Sequence, residues 1–321
     1  MKRAFLGIDV GSVSTNLIVI DEQDEILASL YLRTQGQPIR VVQEGMQEIS
    51  SLVPDDIEIV AAGTTGSARY LAGVMVGADI IKNEITAHAI ATSRFVPGVQ
   101  TILEIGGQDS KIIILRDDIV TDFAMNTVCA AGTGSFLDQQ SARLCIPIED
   151  FGGLAIKAEH PVRIAGRCTV FAESDMIHKQ QLGHSTEDII AGLCEALVRN
   201  YLNNVGKGKE ILPPVAFQGG VAANAGIKKA FEQSLGHEVI VPKHFAVMGA
   251  FGVAILAREK VEQNKEETKF KGFEVTDFSY QTRSFECKSC PNHCEIVQFF
   301  QNGEVIARWG SRCGKWDVQA S

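Results

Sequence analysis

The chain is 321 residues long, carries a formal net charge of −9 and is 45% hydrophobic. That length exceeds one hydrophobic core and predicts two lobes with an appendage, while an acidic balance without a basic block excludes a nucleic-acid-binding surface. No apolar run approaches the roughly 20 residues of a membrane-spanning helix. MKRAFLGIDVGS, broken by Asp9, reads as a first strand and not a signal peptide, so the expectation is a cytoplasmic protein with no membrane partner.

AFLGIDVG, NLIVID and EILASLYL predict three sequential antiparallel strands. A helix over RVVQEGMQEISSLV follows, then a buried strand, IEIVAAGTTG, that runs into a glycine turn. The order returns from residue 101: TILEIGGQDS, KIIILRDD and IVTDFAMN are strands, a helix follows Cys129, and PVAFQGGVAANAG repeats the strand-then-glycine unit. LGIDVGSVSTNLIVIDEQDEILAS laid over LEIGGQDSKIIILRDDIVTDFA is a domain-scale duplication, too long for a solenoid repeat. STEDIIAGLCEALVRNYLNN, with Ser185 and Asp188 at capping-box spacing, and HFAVMGAFGVAILAREKVEQN predict two long helices. The expected α/β organisation is a first lobe over 1–95 and a second over 96–262, whose last helix could pack back on the first. A charged linker over 263–274 then leads to a cysteine-bearing module over 275–321.

Two strand ends carry a carboxylate beside a glycine turn: Asp9 with Gly11, Ser12, Val13 and Ser14, and Glu104 with Gly106, Gly107, Gln108 and Asp109. Glycine lets backbone amides approach phosphate oxygens, and the carboxylates suit Mg2+, usually through water. Gly219, Gly220 and Val221, with Asn224 ahead of a helix, form a third element suited to a nucleoside. Neither a Walker lysine motif nor a GxGxxG turn is present. Three such turns, in this order on duplicated lobes, are a strong nucleotide signal.

GIDVGSVSTN and EIGGQDSK resemble the two phosphate motifs, and FQGGVAANAG the adenosine motif, of the actin, Hsp70 and sugar-kinase superfamily. The resemblance implies a duplicated ribonuclease-H-like, actin-like ATPase fold that takes ATP/ADP with Mg2+. Asp9 and Glu104 would stand on the metal side, and Gln108 or Asp109 would orient the attacking water. Asn16 occupies a position where many relatives have Lys, which removes a direct side-chain charge on phosphate there.

NTVCAAGTGSFLDQQ and RCTVFAESDMI, together with GGQDSK and QGGVA, further resemble the activator, or ATP-dependent reductase component, of 2-hydroxyacyl-CoA dehydratases and the ATPase subunits of benzoyl-CoA reductases. That resemblance implies a C2 homodimer in an anaerobic setting, with Cys129 and Cys168 of each copy holding one shared 4Fe-4S cluster. It implies a ferredoxin or flavodoxin as electron donor. The acceptor would be a partner iron–sulfur reductase or dehydratase, or a double-cubane-cluster protein in some relatives. Gly132, Thr133 and Gly134 would face ATP. The residues agree with this: two thiolates from one chain cannot complete a four-cysteine site, whereas two copies can. Both cysteines also precede predicted helices, whose N-terminal amides stabilise thiolate.

In the cytoplasm disulfides are rare, so the remaining cysteines need other roles. Cys194 and Cys145 read as buried small hydrophobes. CKSCPNHC sets Cys287, Cys290 and Cys294 at Cys-x2-Cys-x3-Cys spacing, and Cys313 follows a hairpin turned at Asn302-Gly303. Folding that hairpin is expected to bring four thiolates together for a structural zinc knuckle, slightly favoured, or a second iron–sulfur cluster, with His293 a bystander. Two rival functions stand beside the activator reading. One is an actin-fold small-molecule kinase, which needs no paired cysteines; the other is an ATP-gated regulatory scaffold with a zinc knuckle.

Overall fold

The computed structural model describes residues 1–126, 129–264 and 267–319; Lys265 and Glu266 of the expected linker, and the last two residues of the expected module, lie outside the described residues. The described chain forms two compact units, Met1–Ala87 with Gly249–Ser321, and His88–Met248.

The first unit opens with β1 (Lys2–Val10), β2 (Ser14–Asp21) and β3 (Ile26–Arg33), an antiparallel meander. Helix α1 (Pro38–Leu52) follows, with proline in its first turn, where its missing N–H costs nothing. Then come β4 (Ile57–Thr65), parallel to β1, α2 (Arg69–Val76) and the short β5 (Ile80–Ile81). One face of α1 buries Val42, Met46 and Ile49 with Leu6, Ile8, Leu17 and Val19 of the sheet.

Helix α3 (Glu84–Phe95) carries the chain into the second unit. There β6 (Thr101–Ile105), β7 (Ser110–Arg116) and β8 (Ile119–Asn126) form a second antiparallel meander. Helices α4 (Gly134–Leu144), α5 (Ile148–Ile156), α6 (Thr169–Gln181) and α7 (Thr186–Asn204) intervene before β9 (Val215–Gln218) returns parallel to β6. The unit finishes with α8 (Ala225–Leu235) and β10 (Val239–Ile240). Ser185 caps α7 by accepting the amide of Asp188, and Asn224 caps α8 by accepting that of Ile227.

The sheets run β3-β2-β1-β4-β5 and β8-β7-β6-β9-β10, the same order with the same parallel and antiparallel pairings. The duplication extends to single residues. Asp9 stands opposite Asn16 across the first hairpin, and Glu104 stands opposite Lys111 across the second. Both turns close through the same bond, Gly11 N–H to Ser14 O at 2.9 Å and Gly106 N–H to Asp109 O at 3.0 Å.

The chain re-enters the first unit with α9 (Met248–Asn264). Beyond it, Asp79 accepts from Thr268 Oγ1 and the Lys269 amide, and Lys271 Nζ donates to Val74 O. Charged as it is, the segment 268–271 is therefore bound down along its own unit. A four-stranded sheet follows: β11 (Tyr280–Glu286), β12 (Glu295–Gln301), β13 (Glu304–Trp309) and β14 (Val318–Gln319). Asn302 and Gly303 turn β12 into β13, both at positive φ, as a tight hairpin requires. Gln43 of α1 donates to the carbonyls of Val275, Thr276 and Phe278, while Tyr280 and Phe299 stack and join the first unit's core.

Candidate functional site

In the first unit, β1 delivers Asp9 to the end of the sheet, where its carboxylate lies against Gly66 and Gly249. Gly66 ends β4 at φ +91°, and a Cβ there would sit 2.5 Å from Asp9 Oδ1, so only glycine is accommodated. The turn itself is braced by Thr34, whose hydroxyl donates to Gly11 O at 2.8 Å and whose amide donates to Val13 O at 2.8 Å. Ser12 at the tip is exposed, with Val13 and Ser14 half-buried. Asn16 is 5% exposed and its Oδ1 has no hydrogen-bond partner among the described residues.

In the second unit, β6 delivers Glu104, buried at 5% exposure. Gly219 ends β9 at φ +87°, and a Cβ there would sit 2.7 Å from Glu104 Oε1, repeating the Gly66–Asp9 relation. Lys111 Nζ reaches Glu104 Oε2 at 3.1 Å and Asp109 Oδ2 at 2.7 Å from a side chain that is 5% exposed. Burial alone would lower its pKa, but the two carboxylates outweigh burial and hold it above the usual lysine range. Asp109 keeps 33% of its side chain exposed, and Gln108 at the tip is exposed. Tyr201 Oη donates to Lys111 O at 2.6 Å, and burial raises its pKa well above the ordinary value.

Behind this cluster His88 Nδ1 contacts Gln218 Nε2 at 2.8 Å, and Thr92 Oγ1 donates to Gln218 Oε1 at 2.7 Å. Burial first, and then the charge of Lys111, push the His88 pKa down to about 3, so the ring is neutral. Gly220 is exposed and Val221 buried; Asn224 is 8% exposed, and its Nδ2 has no partner among the described residues. That orphaned donor fits a polar group of a bound nucleotide.

The cysteine turns depart from expectation in one respect. Cys168 caps α6 directly, but Cys129 caps only a three-residue 3-10 turn, Ala130–Gly132, before α4 begins. Thr133 explains the break: its backbone is extended and its hydroxyl donates to Ala130 O, closing the turn on itself. Its side chain is fully buried there. Gly134 N–H then donates to Gly106 O at 2.9 Å, and Ser135 donates to Gly107 O from both its amide (2.8 Å) and its hydroxyl (2.5 Å). The turn after Cys129 is thus hydrogen-bonded onto the carboxylate turn itself.

Asn126 brackets Cys129, accepting its amide and donating to its carbonyl. Asn200 of α7, 2% exposed, donates to Gly166 O at 2.5 Å, two residues before Cys168, and its Oδ1 stands where a Cβ on Gly132 would come within 2.8 Å. One asparagine therefore packs on both cysteine segments, next in sequence to the Tyr201 that holds Lys111. Cys129 and Cys168 are both half-buried. Cys194 is buried, its thiol pKa pushed up to about 12 by burial. Cys145 corrects the expectation of a buried residue: it ends α4 at φ +55° with an exposed side chain.

Sequence reasoning missed Lys111, Ser135, Asn200 and Gly66. Lys111 had a signal, since a turn closed from Gly106 to Asp109 sets residue 111 opposite 104.

At the C terminus the hairpin forms, yet the convergence of four thiolates does not appear: among the described residues no three metal-ligating side chains stand together. Cys287 is buried and accepts from Trp316 Nε1 at 3.2 Å, whereas Cys290 and Cys313 are exposed and Cys294 is half-buried. Without an ion, nothing draws exposed thiols off their turns. His293 pairs with Glu286 at 2.6 Å.

Two sheets of one topology, each ending in a carboxylate held against a left-handed glycine, define the class: a two-lobe actin-like ATPase fold. The chain belongs to the BadF/BadG/BcrA/BcrD ATPase family, whose pattern matches residues 6–257. It is 36% identical over 263 residues to the (R)-2-hydroxyglutaryl-CoA dehydratase activating ATPase of Acidaminococcus fermentans, covering 79% of this chain and 97% of that protein. It is 28% identical over 267 residues to a benzoyl-CoA reductase subunit of Thauera aromatica, covering 78% and 91% of the two chains. Among solved structures, the activator of the 2-hydroxyisocaproyl-CoA dehydratase from Clostridium difficile with bound ADPNP matches with a TM-score of 0.73 at 30% identity, over 82% of this chain and 97% of that one. No helix among the described residues is long and apolar enough to cross a membrane.

Proposed function

We propose that this chain hydrolyses ATP to drive a single low-potential electron into a partner iron–sulfur reductase or dehydratase. It acts as a C2 homodimer that shares one 4Fe-4S cluster and is loaded by a reduced ferredoxin or flavodoxin. The observation that carries this reading is the bonding of Gly134 and Ser135, just beyond Cys129, onto the carbonyls of Gly106 and Gly107. A change at the carboxylate turn on nucleotide binding then moves the cysteine segment through hydrogen bonds and not through a distant relay. The names of the relatives, an activating ATPase of an acyl-CoA dehydratase and part of a benzoyl-CoA reductase, support the partner class.

The amides of Ser12, Val13, Gly107 and Gln108 would meet phosphate. Asp9 and Glu104 would hold the waters of Mg2+, and Gln108 or Asp109 would orient the attacking water. Lys111 holds Glu104 and Asp109 in place through its two ion pairs, and Gly219 to Asn224 would receive the nucleoside. When bound, Mg2+ neutralises charge between the phosphates, and the cluster stores one electron at low potential. Cys129 and Cys168 supply half its ligands from each copy. Val170 and Phe171, each 66% exposed and next to Cys168, give a second copy apolar surface to cover. ATP must bind the electron-donating conformation better than the resting one, because equal affinity shifts nothing.

Anaerobic reconstitution tests the reading. Iron and acid-labile sulfide at about four each per two chains are expected, together with ATP hydrolysis. A colourless protein that hydrolyses ATP, or one that phosphorylates a small molecule, would contradict it.

A further inference from the structure

The C-terminal cysteines lie beyond residue 257, where the family match ends, and the ATPase reading does not use them. The sheet that carries them joins the first unit's core through one end. Tyr280, Phe299 and Ala307 are buried in the first unit's core. At the other end β11 and β12 close on the pair Glu286–Glu295, and β12 meets β13 as far as Val297–Trp309. Cys287, Cys294 and the segment from Gly310 to Cys313 therefore leave the sheet at the same edge. Two turns stand there, 287–294 and 310–317, and Cys287 is the one buried residue in them.

Exposed turns bury too little apolar surface to order themselves, yet these two are tied to each other. Lys315 Nζ donates to Ser289 Oγ at 2.7 Å, and Trp316 Nε1 donates to Cys287 Sγ at 3.2 Å. Phe285 stands edge-on to Trp316 at 5.1 Å. Within the first turn Cys287 N–H donates to Cys294 O at 2.8 Å; within the second, Ser311 Oγ donates to Asp317 Oδ1 at 2.8 Å. Three cysteines ride on one turn and the fourth on the other, none of them in a disulfide.

We propose that Cys287, Cys290, Cys294 and Cys313 bind one Zn2+ per chain in a tetrahedral thiolate site that fixes the two turns against each other. Four thiols release four protons to solvent as the aqua ion enters, and the centre carries a charge of −2. Lys288, Arg312 and Lys315, in the same turns, offset that charge. Zinc binding draws the exposed Cys290 and Cys313 toward the buried Cys287, and folding energy of the module's open end comes from coordination. A mononuclear ion suits this edge better than a cluster. Neither turn opens a helix whose N-terminal amides would hydrogen-bond a cluster's sulfurs.

The test is metal analysis of the full-length chain purified anaerobically, with variants Cys129→Ser, Cys290→Ser and Cys313→Ser. The expected result is about one zinc per chain in wild type and Cys129→Ser, and loss of that zinc in Cys290→Ser and Cys313→Ser. Wild-type nucleotide binding in both of the latter shows that the ATPase body is folded. Stripping zinc with a chelator shifts tryptophan fluorescence in wild type and not in Trp316→Phe, and added Zn2+ reverses the shift. A chain that neither holds nor takes up zinc overturns the proposal. So does iron with sulfide that survives Cys129→Ser and vanishes in Cys313→Ser. Because Cys129→Ser separates the tail from the shared cluster, failure of the activator reading leaves this outcome readable.

Discussion

Asp9 and Glu104 end equivalent strands, face equivalent hairpin partners and lie against equivalent left-handed glycines, Gly66 and Gly219. What surrounds them differs. In the first copy the hairpin partner is neutral Asn16, and Thr34 from the neighbouring strand end braces the turn. In the second copy the partner is the buried Lys111, and the turn is braced by Gly134 and Ser135 from the segment that begins at Cys129. Duplication kept the geometry that suits metal and phosphate in both copies. In the second copy the turn is hydrogen-bonded to the segment that begins at Cys129, so a change at that turn can reach the thiol.

The largest effect is expected where that tie ends. Cys129→Ser should abolish the shared cluster and all electron delivery while leaving nucleotide binding intact, measured by iron content and calorimetric titration with ATP. Unchanged iron in this variant removes the cysteine from the account.

Next comes the charged partner. Lys111→Met strands two carboxylates, one of them buried, and should destabilise by about 3–5 kcal/mol. The equivalent Asn16→Leu should stay within about 1 kcal/mol. Urea unfolding of both variants compares the copies directly, and equal losses would erase the distinction drawn between them.

Near neutral pH His88 is silent, and its contribution emerges on the acid side. Its folded pKa of about 3 lies below the ordinary 6.5, so the unfolded chain binds the extra proton. The stability contributed by the neutral ring is complete above pH 6.5 and is lost as pH falls toward 3. At pH 5.5 the loss from this residue is on the order of 1 kcal/mol, seen as a drop in urea midpoint that His88→Gln should not share.

The smallest change in stability should have the sharpest functional signature. Ser135→Ala removes one hydrogen bond to Gly107, about 1 kcal/mol, and should raise the ATP consumed per electron delivered. Thr34→Val, the analogous loss in the first copy, should cost similar stability and leave that ratio unchanged.

Much of this architecture was readable from the sequence because it is written in strand periodicity and turn glycines, which are local. The sequential antiparallel strands, the two carboxylate turns and the Asn302-Gly303 hairpin are of that kind. The rest depends on contacts between distant segments. Lys111 becomes a partner of Glu104 only when register is counted across the hairpin. Asn200 sits inside an apolar helical pattern, with nothing local to announce that it packs on Gly132 and Gly166. The helix expected immediately after Cys129 is delayed because Thr133 spends its hydroxyl on Ala130 O. Cys145 is exposed because α4 ends at Leu144 and the next residue turns left-handed.

The claim at the centre is that the carboxylate turn and the Cys129 segment move together. It is tested most directly by the ATPase rate of the reconstituted dimer with its cluster reduced and then oxidised, in wild type and Ser135→Ala. The account predicts a rate that depends on redox state in wild type and a much weaker dependence in Ser135→Ala. Identical rates in both redox states of the wild-type protein would contradict it.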